Sequence, residues 1–207
     1  EMLRSLVGSE MCIRDSYNKI SDKDFRKLSW KAPKGSALES QNEYCNPSSA
    51  VDMAEYASLK FRPGSGNVSD YNVGSATSFP LMRIEEMYFI EAEAAAHLNA
   101  SDGVSLINSF MKGYRYPSYE CKVTNQDDVV EEIVFQKRVE LWGEGQSFFD
   151  IKRLNLPVTR AYEGSMHHAI GRFNTTTRPA WMNICIVQTE ENNNKALLGY
   201  ELSLIHI

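Results

Sequence analysis

From Leu81 onward the apolar residues recur at intervals of three and four: Leu81, Ile84, Met87, Tyr88, Ala92, Ala95 and Leu98. That spacing puts them on one stripe of an amphipathic helix over residues 81–98. Pro80 suits its first turn, because the missing N–H would be unpaired there anyway. The run Ala94, Ala95, Ala96 narrows the helix for close packing. Asn99 and Gly103 bracket a turn, and a shorter helix follows over residues 104–111, ended by Gly113. The two elements form an antiparallel helical hairpin. Beyond a loop over residues 114–125, Asp127 and Asp128 begin a third helix, running to residue 142, where the helix dipole favours negative charge. Val129, Ile133, Val134, Arg138 and Leu141 mark its track. Gly143 and Gly145 interrupt it. Phe148, Phe149, Ile151 and Leu154 then carry an apolar face through a further helical stretch that stops before Pro157.

The flanks are polar. Residues 25–31 read as a strand or a short turn. Residues 56–62 alternate as a strand closed by Pro63-Gly64, and residues 182–187 give a late strand before a polar tail containing Asn192, Asn193 and Asn194. The fold class is therefore mainly α: helix pairs with long loops and a few short strands. The helices are too few for a self-contained bundle, and pairs of this size stack as repeats on neighbours. No clean repeat relates residues 81–111 to residues 128–154. If the elements that cover the first pair lie outside the chain, that pair should expose apolar surface.

Charge and chemistry narrow the function. A net charge of −5 argues against a nucleic-acid partner, which needs a basic face. No apolar run is long enough to span a bilayer. Cys45, Cys121 and Cys185 are widely spaced and read as buried or half-buried thiols. Cys12 belongs to a separate matter. Residues 10–16 (EMCIRDS) and 202–207 (LSLIHI) can be encoded by opposite strands of one DNA word. Residues 1–16 and 202–207 are thus expected to be translated sequencing adapter, with residues 17–201 the C-terminal portion of a longer domain.

Two blocks carry a resemblance. FPLMRIEEMYFIEAEAAAHLN, residues 79–99, resembles a signature helix of the SusD/RagB family, with its Arg-x-x-Glu and Glu-Ala-Glu-Ala. RVELWGEGQSFFDIKRLN, residues 138–155, is similar to that family's second signature, and the order and spacing match. RPAWM at residues 178–182 and ENNNKALLGY at residues 191–200 look like its closing segment, although Ile186 to Glu190 lacks the usual Pro. The resemblance implies a scaffold of tetratricopeptide-like helix pairs. It implies a lipid-anchored protein at the outer-membrane surface of a Bacteroidetes-type bacterium, tethered only through an anchor upstream of this fragment. It also implies capture of glycans or other nutrients and their delivery to a SusC-like TonB-dependent transporter, with no cofactor and no catalysis.

The individual residues fit a scaffold better than an active site. Arg83, Glu86, Glu91, Glu93, Arg138, Glu140, Glu144, Gly145, Asp150 and Arg153 are the signature positions, read as structural ion pairs and a bend. Arg83 and Glu86 stand at pairing distance on a helix. Asp150 is expected to pair with Lys152 or Arg153. A glycosidase needs two carboxylates converging on the sugar, whereas Glu91 and Glu93 point to different faces. Gly143 and Gly145 are too few for a phosphate loop. His167 and His168 are adjacent but lack further ligands at metal spacing, and His97 reads as a surface or packing residue. Trp142 and Trp181 read as packed. Sugar rings stack on exposed aromatic faces, which leaves Tyr114, Tyr116 and Tyr119 in one loop as the ligand-binding candidates. The rival readings are a helical-repeat scaffold for peptides or proteins and, further off, a glycoside hydrolase.

Overall fold

A computed structural model describes residues 13–40, 54–58, 60–61, 80–163, 165, 167–183 and 193–195. Among them are five α-helices: α1 (Ile13–Lys19), α2 (Ile84–Leu98), α3 (Ala100–Tyr114), α4 (Gln126–Glu140) and α5 (Gln146–Arg153). Helix α1 runs across the expected adapter boundary and buries Ser16 and Tyr17. Residues 1–12 and 202–207 lie outside the described residues, as do Cys45 and Cys185.

Helices α2 and α3 form the expected hairpin, hinged on one residue. Asn99 ends α2 and caps α3, its side chain accepting from the Ser101 N–H at 3.1 Å. That cap satisfies an orphan donor of the first turn and lets α3 begin four residues earlier than its periodicity suggests. At its other end α3 runs through Gly113 to Tyr114. The hairpin closes tightly because Gly103 faces Ala96: a Cβ placed on Gly103 would lie 2.5 Å from the Ala96 Cβ. The alanine run thus meets a glycine, and two backbones approach where larger residues would hold them apart.

Helix α4 packs across this hairpin. Phe89, Ala92 and Ala96 of α2, Ile107, Phe110 and Met111 of α3, and Val129, Val130, Ile133 and Val134 of α4 form the first core. Asn125 caps α4 through the Asp127 N–H, with Asp127 and Asp128 in its first turn as the charge pattern predicts. The far side of α4 holds a second core, in which Val139 meets Tyr17, Ile20, Trp30, Ala32 and Leu38, with Trp142 packed against them. A third, small core joins Ile151 to Val158 and Met182.

Several expectations need correction. Most of the predicted apolar stripe faces outward: Leu81, Ile84, Met87, Tyr88 and Leu98 are exposed, Ala95 is half-buried, and Ala92 alone of the stripe joins the buried face of Phe89, Glu93 and Ala96. The helix carries apolar residues on more than one side, so periodicity alone could not choose between them; the close approach at Gly103 and the ion pairs of Glu93 choose the buried one. Pro80 precedes the helix rather than opening it, because Arg83, the residue before the first turn, is extended. Phe148 and Phe149 of α5 are also exposed, while Asp150 and Ile151 turn inward. Of the strand or short turn expected over residues 25–31, the structure has the turn, a 3-10 turn at Phe25–Ser29 capped by Asp24. No strand spans residues 56–62 among the described residues. Tyr56 has a positive φ of 64°, which breaks extended backbone, and one isolated bridge, Trp30 to Ser58, remains. Most of the expected strand at residues 182–187 lies outside the described residues, and Met182 sits in a 3-10 turn.

Replacing Gly103 by Val forces α2 and α3 apart. Overpacking of this kind should lower stability by about 1–3 kcal/mol, read as a drop in denaturant midpoint, whereas Gly113→Ala, in open space, should not lower it.

Candidate functional site

The signature residues come together at the C-terminal end of α4. The Arg83 guanidinium donates to both Glu144 oxygens at 3.1 Å, to Glu140 Oε1 at 3.1 Å and to the Glu140 carbonyl at 2.7 Å. Arg115, at the end of α3, donates to Glu140 at 2.8 and 2.9 Å and to Glu85 at 2.9 Å. Arg26, from the 3-10 turn, reaches Glu140 at 3.4 Å and is itself forked onto Asp24. Lys60 adds an ion pair to Glu144 and donates to the carbonyls of Glu140 and Trp142 at 2.9 and 3.0 Å. Burial alone would raise the Glu140 carboxyl, but Arg115, Arg26 and Arg83 overcome this and hold it down to about 2.

Gly143 and Gly145 make this convergence possible. Both have positive φ, 77° and 83°, and the chain turns there so that Glu144 folds back on Arg83. Any side chain at Gly143 would also strike the Phe61 ring.

A second cluster ties α2, α4 and α5. Arg153 forks onto Glu93 with two bonds of 2.6 Å and donates to Asp150, which also accepts from Lys137 at 2.9 Å. The structure corrects one pairing. Arg83 bridges to Glu85, Glu140 and Glu144, not to Glu86, because its side chain leaves the helix toward α4. Of the two partners expected for Asp150, Lys152 or Arg153, the structure takes Arg153 and adds Lys137. Glu91 is exposed, and Arg138 is half-buried on α4.

The three loop tyrosines have different fates. Tyr119 is buried, and its hydroxyl donates to Glu132 at 2.6 Å. Burial and that carboxylate push its phenol far above the usual value. Its ring is core, so it offers no open stacking face. Tyr114 ends α3 and is exposed beside Tyr88, with ring centroids 6.1 Å apart. Tyr116 is half-buried and lines a cleft of about 460 Å³ between α4 and the residues just after α1. Phe135 and Tyr119 share that cleft with Lys19, Asp128, Glu131 and Glu132. Glu132 Oε1 accepts from both Tyr119 and Gln136, at 2.6 and 2.8 Å, which fixes the carboxylate and leaves Oε2 for a ligand hydroxyl. An aromatic wall beside oriented carboxylate oxygens is the combination that a sugar ring and its hydroxyls require.

A sequence profile for the SusD family matches residues 22–199. The chain belongs to the SusD family. Its fold is SusD-like: it resembles the crystal structure of a SusD-like carbohydrate-binding protein from Bacteroides vulgatus, at 25% identity and a TM-score of 0.55. The alignment covers 88% of this chain and 39% of that one, so the chain spans about two-fifths of its neighbour's length. None of the curated proteins matches the chain.

Sequence reasoning missed Arg26, Arg115 and Lys60, whose contacts with Glu140 and Glu144 span 25 to 114 residues. No local periodicity marks such pairs. Among the described residues no group of three or more His, Cys, Asp or Glu side chains could hold a metal ion, and no helix is long and apolar enough to cross a membrane.

Glu140→Gln leaves three arginines without their shared charge. It should destabilise the chain by about 3–5 kcal/mol at neutral pH, measured by denaturant unfolding. Because the folded carboxyl sits near 2 against an ordinary 4.5, its contribution is complete above about pH 4.5 and is lost as pH falls toward 2. The variant should therefore show a flatter stability profile across that interval. A separate replacement, Gly143→Ala, should cost at least about 1–2 kcal/mol from the left-handed backbone alone.

Proposed function

We propose that this chain is the C-terminal portion of a nutrient-binding protein that captures glycans at the outer-membrane surface and passes them to a SusC-like TonB-dependent transporter. The observation that carries the reading is the SusD-family match across most of the chain, beside a solved relative described as carbohydrate-binding. In this reading a lipid anchor upstream tethers the protein, and its helix pairs belong to a tetratricopeptide-like scaffold that continues beyond the fragment. The outward apolar face of α2 supports that continuation, since such a face is the kind a stacked neighbour covers.

Within this chain the cleft at Tyr116 is the place for a sugar ring. Tyr116 and Phe135 supply apolar faces, and Asp128 and Glu132 supply acceptors for hydroxyl groups. Binding is non-covalent. The strongest argument against hydrolysis is the state of the carboxylates: Glu140, Glu93 and Asp150 are each committed to guanidinium or ammonium groups, and Glu140 is held ionised. A general acid needs the opposite shift.

Titration calorimetry of the chain against neutral oligosaccharides should give saturable binding to at least one class, with no cleavage products by mass spectrometry. Tyr116→Ala should weaken it about tenfold, and Tyr114→Ala should leave it unchanged. Unaltered affinity in Tyr116→Ala would remove the cleft from the reading. Binding of peptides but no glycan would favour the helical scaffold, whose groove would be the one between α2 and α5 lined by Ile90, Phe149 and His97.

A further inference from the structure

Outside the cleft, one cluster of polar side chains stands without the partners its burial calls for. Residues 158–163 and 167–175 supply the two arms of a hairpin. Thr159 and Asn174 pair across it, Thr175 N–H donates to the Val158 carbonyl at 2.9 Å, and Arg160 N–H donates to the Phe173 carbonyl at 2.9 Å. The tip is folded by its own side chains. Ser165 Oγ donates to the Arg160 carbonyl at 2.7 Å, and Arg172 donates to the carbonyls of His167 and Ser165 at 2.7 and 2.9 Å. Two guanidinium groups and an imidazole are gathered there. Arg160 lies over the Phe173 ring at 5.1 Å, which orients its guanidinium plane.

Among the described residues neither Arg160 nor Arg172 forms an ion pair, although Arg26, Arg83 and Arg115 of the α4 network each do. Glu163 is in the same loop but is exposed and pairs with neither. Arg160 Nε and His167 Nε2 are both buried with no hydrogen-bond partner. The Arg160 and His167 side chains are half-buried and Arg172 is exposed, but the two unpaired nitrogens are shut off from water, and buried polar atoms left unpaired are rare enough to need a cause. Both conditions are relieved by the same object, an anion with several acceptor oxygens. The imidazole agrees: burial, with Arg160 and Arg172 beside it, holds His167 below its ordinary value, so the site's cationic field is felt across the cluster.

We propose that Arg160 and His167 form an oxyanion-binding site at the tip of the 158–175 hairpin, which takes a sulfate, phosphate or carboxylate group. Arg160 supplies the charge and a planar pair of donors, His167 a neutral ring donor, and Arg172 positions the loop by holding its carbonyls. The group is a free inorganic oxyanion or the charged substituent of a glycan.

The test uses the whole chain with 15N-labelled histidine, titrated with sodium sulfate while chloride keeps ionic strength constant. The His167 ring signals should shift and saturate, while those of His97 should not move. Arg160→Gln should weaken the saturation about tenfold, and Arg160→Lys should recover part of it. A sulfated oligosaccharide and its desulfated form identify the source: tighter binding of the sulfated sugar than of free sulfate assigns a glycan substituent, and equal affinity assigns the inorganic ion. No saturable shift in the unaltered chain overturns the site, as does a folded Arg160→Gln that binds as well as the parent. The sulfate titration involves no sugar, so its outcome is separate from that of the glycan-binding experiments.

Discussion

One buried carboxylate organises much of this chain. Glu140 sits at the end of α4 and takes guanidinium donors from three other places: Arg83 before α2, Arg115 after α3 and Arg26 in the 3-10 turn. Each contact joins segments that hydrophobic packing alone would leave free to slide, since apolar contact has no direction. Charge-assisted bonds of this kind do have direction, and their desolvation is repaid only when every lone pair is used. The network therefore selects one register of the helices. It also accounts for Glu144, which folds back through two left-handed glycines to meet the same arginine.

The cleft inherits its geometry from that arrangement. Gln136 lies one turn before Glu140, accepts from Arg26 and donates to Glu132, which in turn holds the hydroxyl of Tyr119. A line of hydrogen bonds thus runs from the ionic centre to the cleft wall. Glu132 is fixed in orientation without being neutralised, and a fixed acceptor binds a sugar hydroxyl with less loss of entropy than a mobile one. The acid-and-aromatic lining of the cleft combines apolar faces with hydrogen-bond acceptors. The cationic hairpin tip has the opposite character and is suited to ligands that the acidic cleft repels.

Helix α2 shows where local pattern stops being informative. Its apolar residues lie on more than one side, so two stripes coexist. The stripe Leu81, Ile84, Met87, Tyr88 and Leu98 has the larger residues and the better periodicity, yet it faces outward. The inner face is built from Phe89 and alanines, because Gly103 permits close approach only opposite a small residue. Glu93, buried on that same inner side, is held by Arg153. Among the described residues, the strand expected over residues 56–62 does not form, for a related reason. Alternation over residues 56–62 was present, but a left-handed Tyr56 interrupts the backbone it would need.

By itself the sequence determined the helical class, the hairpin of α2 and α3, the charged start of α4 and the break at Gly143 and Gly145. Each depends on neighbours within a few residues, where spacing, caps and dipoles act. It also determined the family, because two long blocks in order and at the right separation survive any uncertainty about packing. Only the tertiary structure decided which face of α2 is buried, which acid each arginine takes, and which of Tyr114, Tyr116 and Tyr119 meets solvent, core or cleft. Those outcomes depend on segments separated by tens of residues, and distance in space between such segments is fixed by packing and by directional ion pairs, neither of which leaves a periodic mark along the chain.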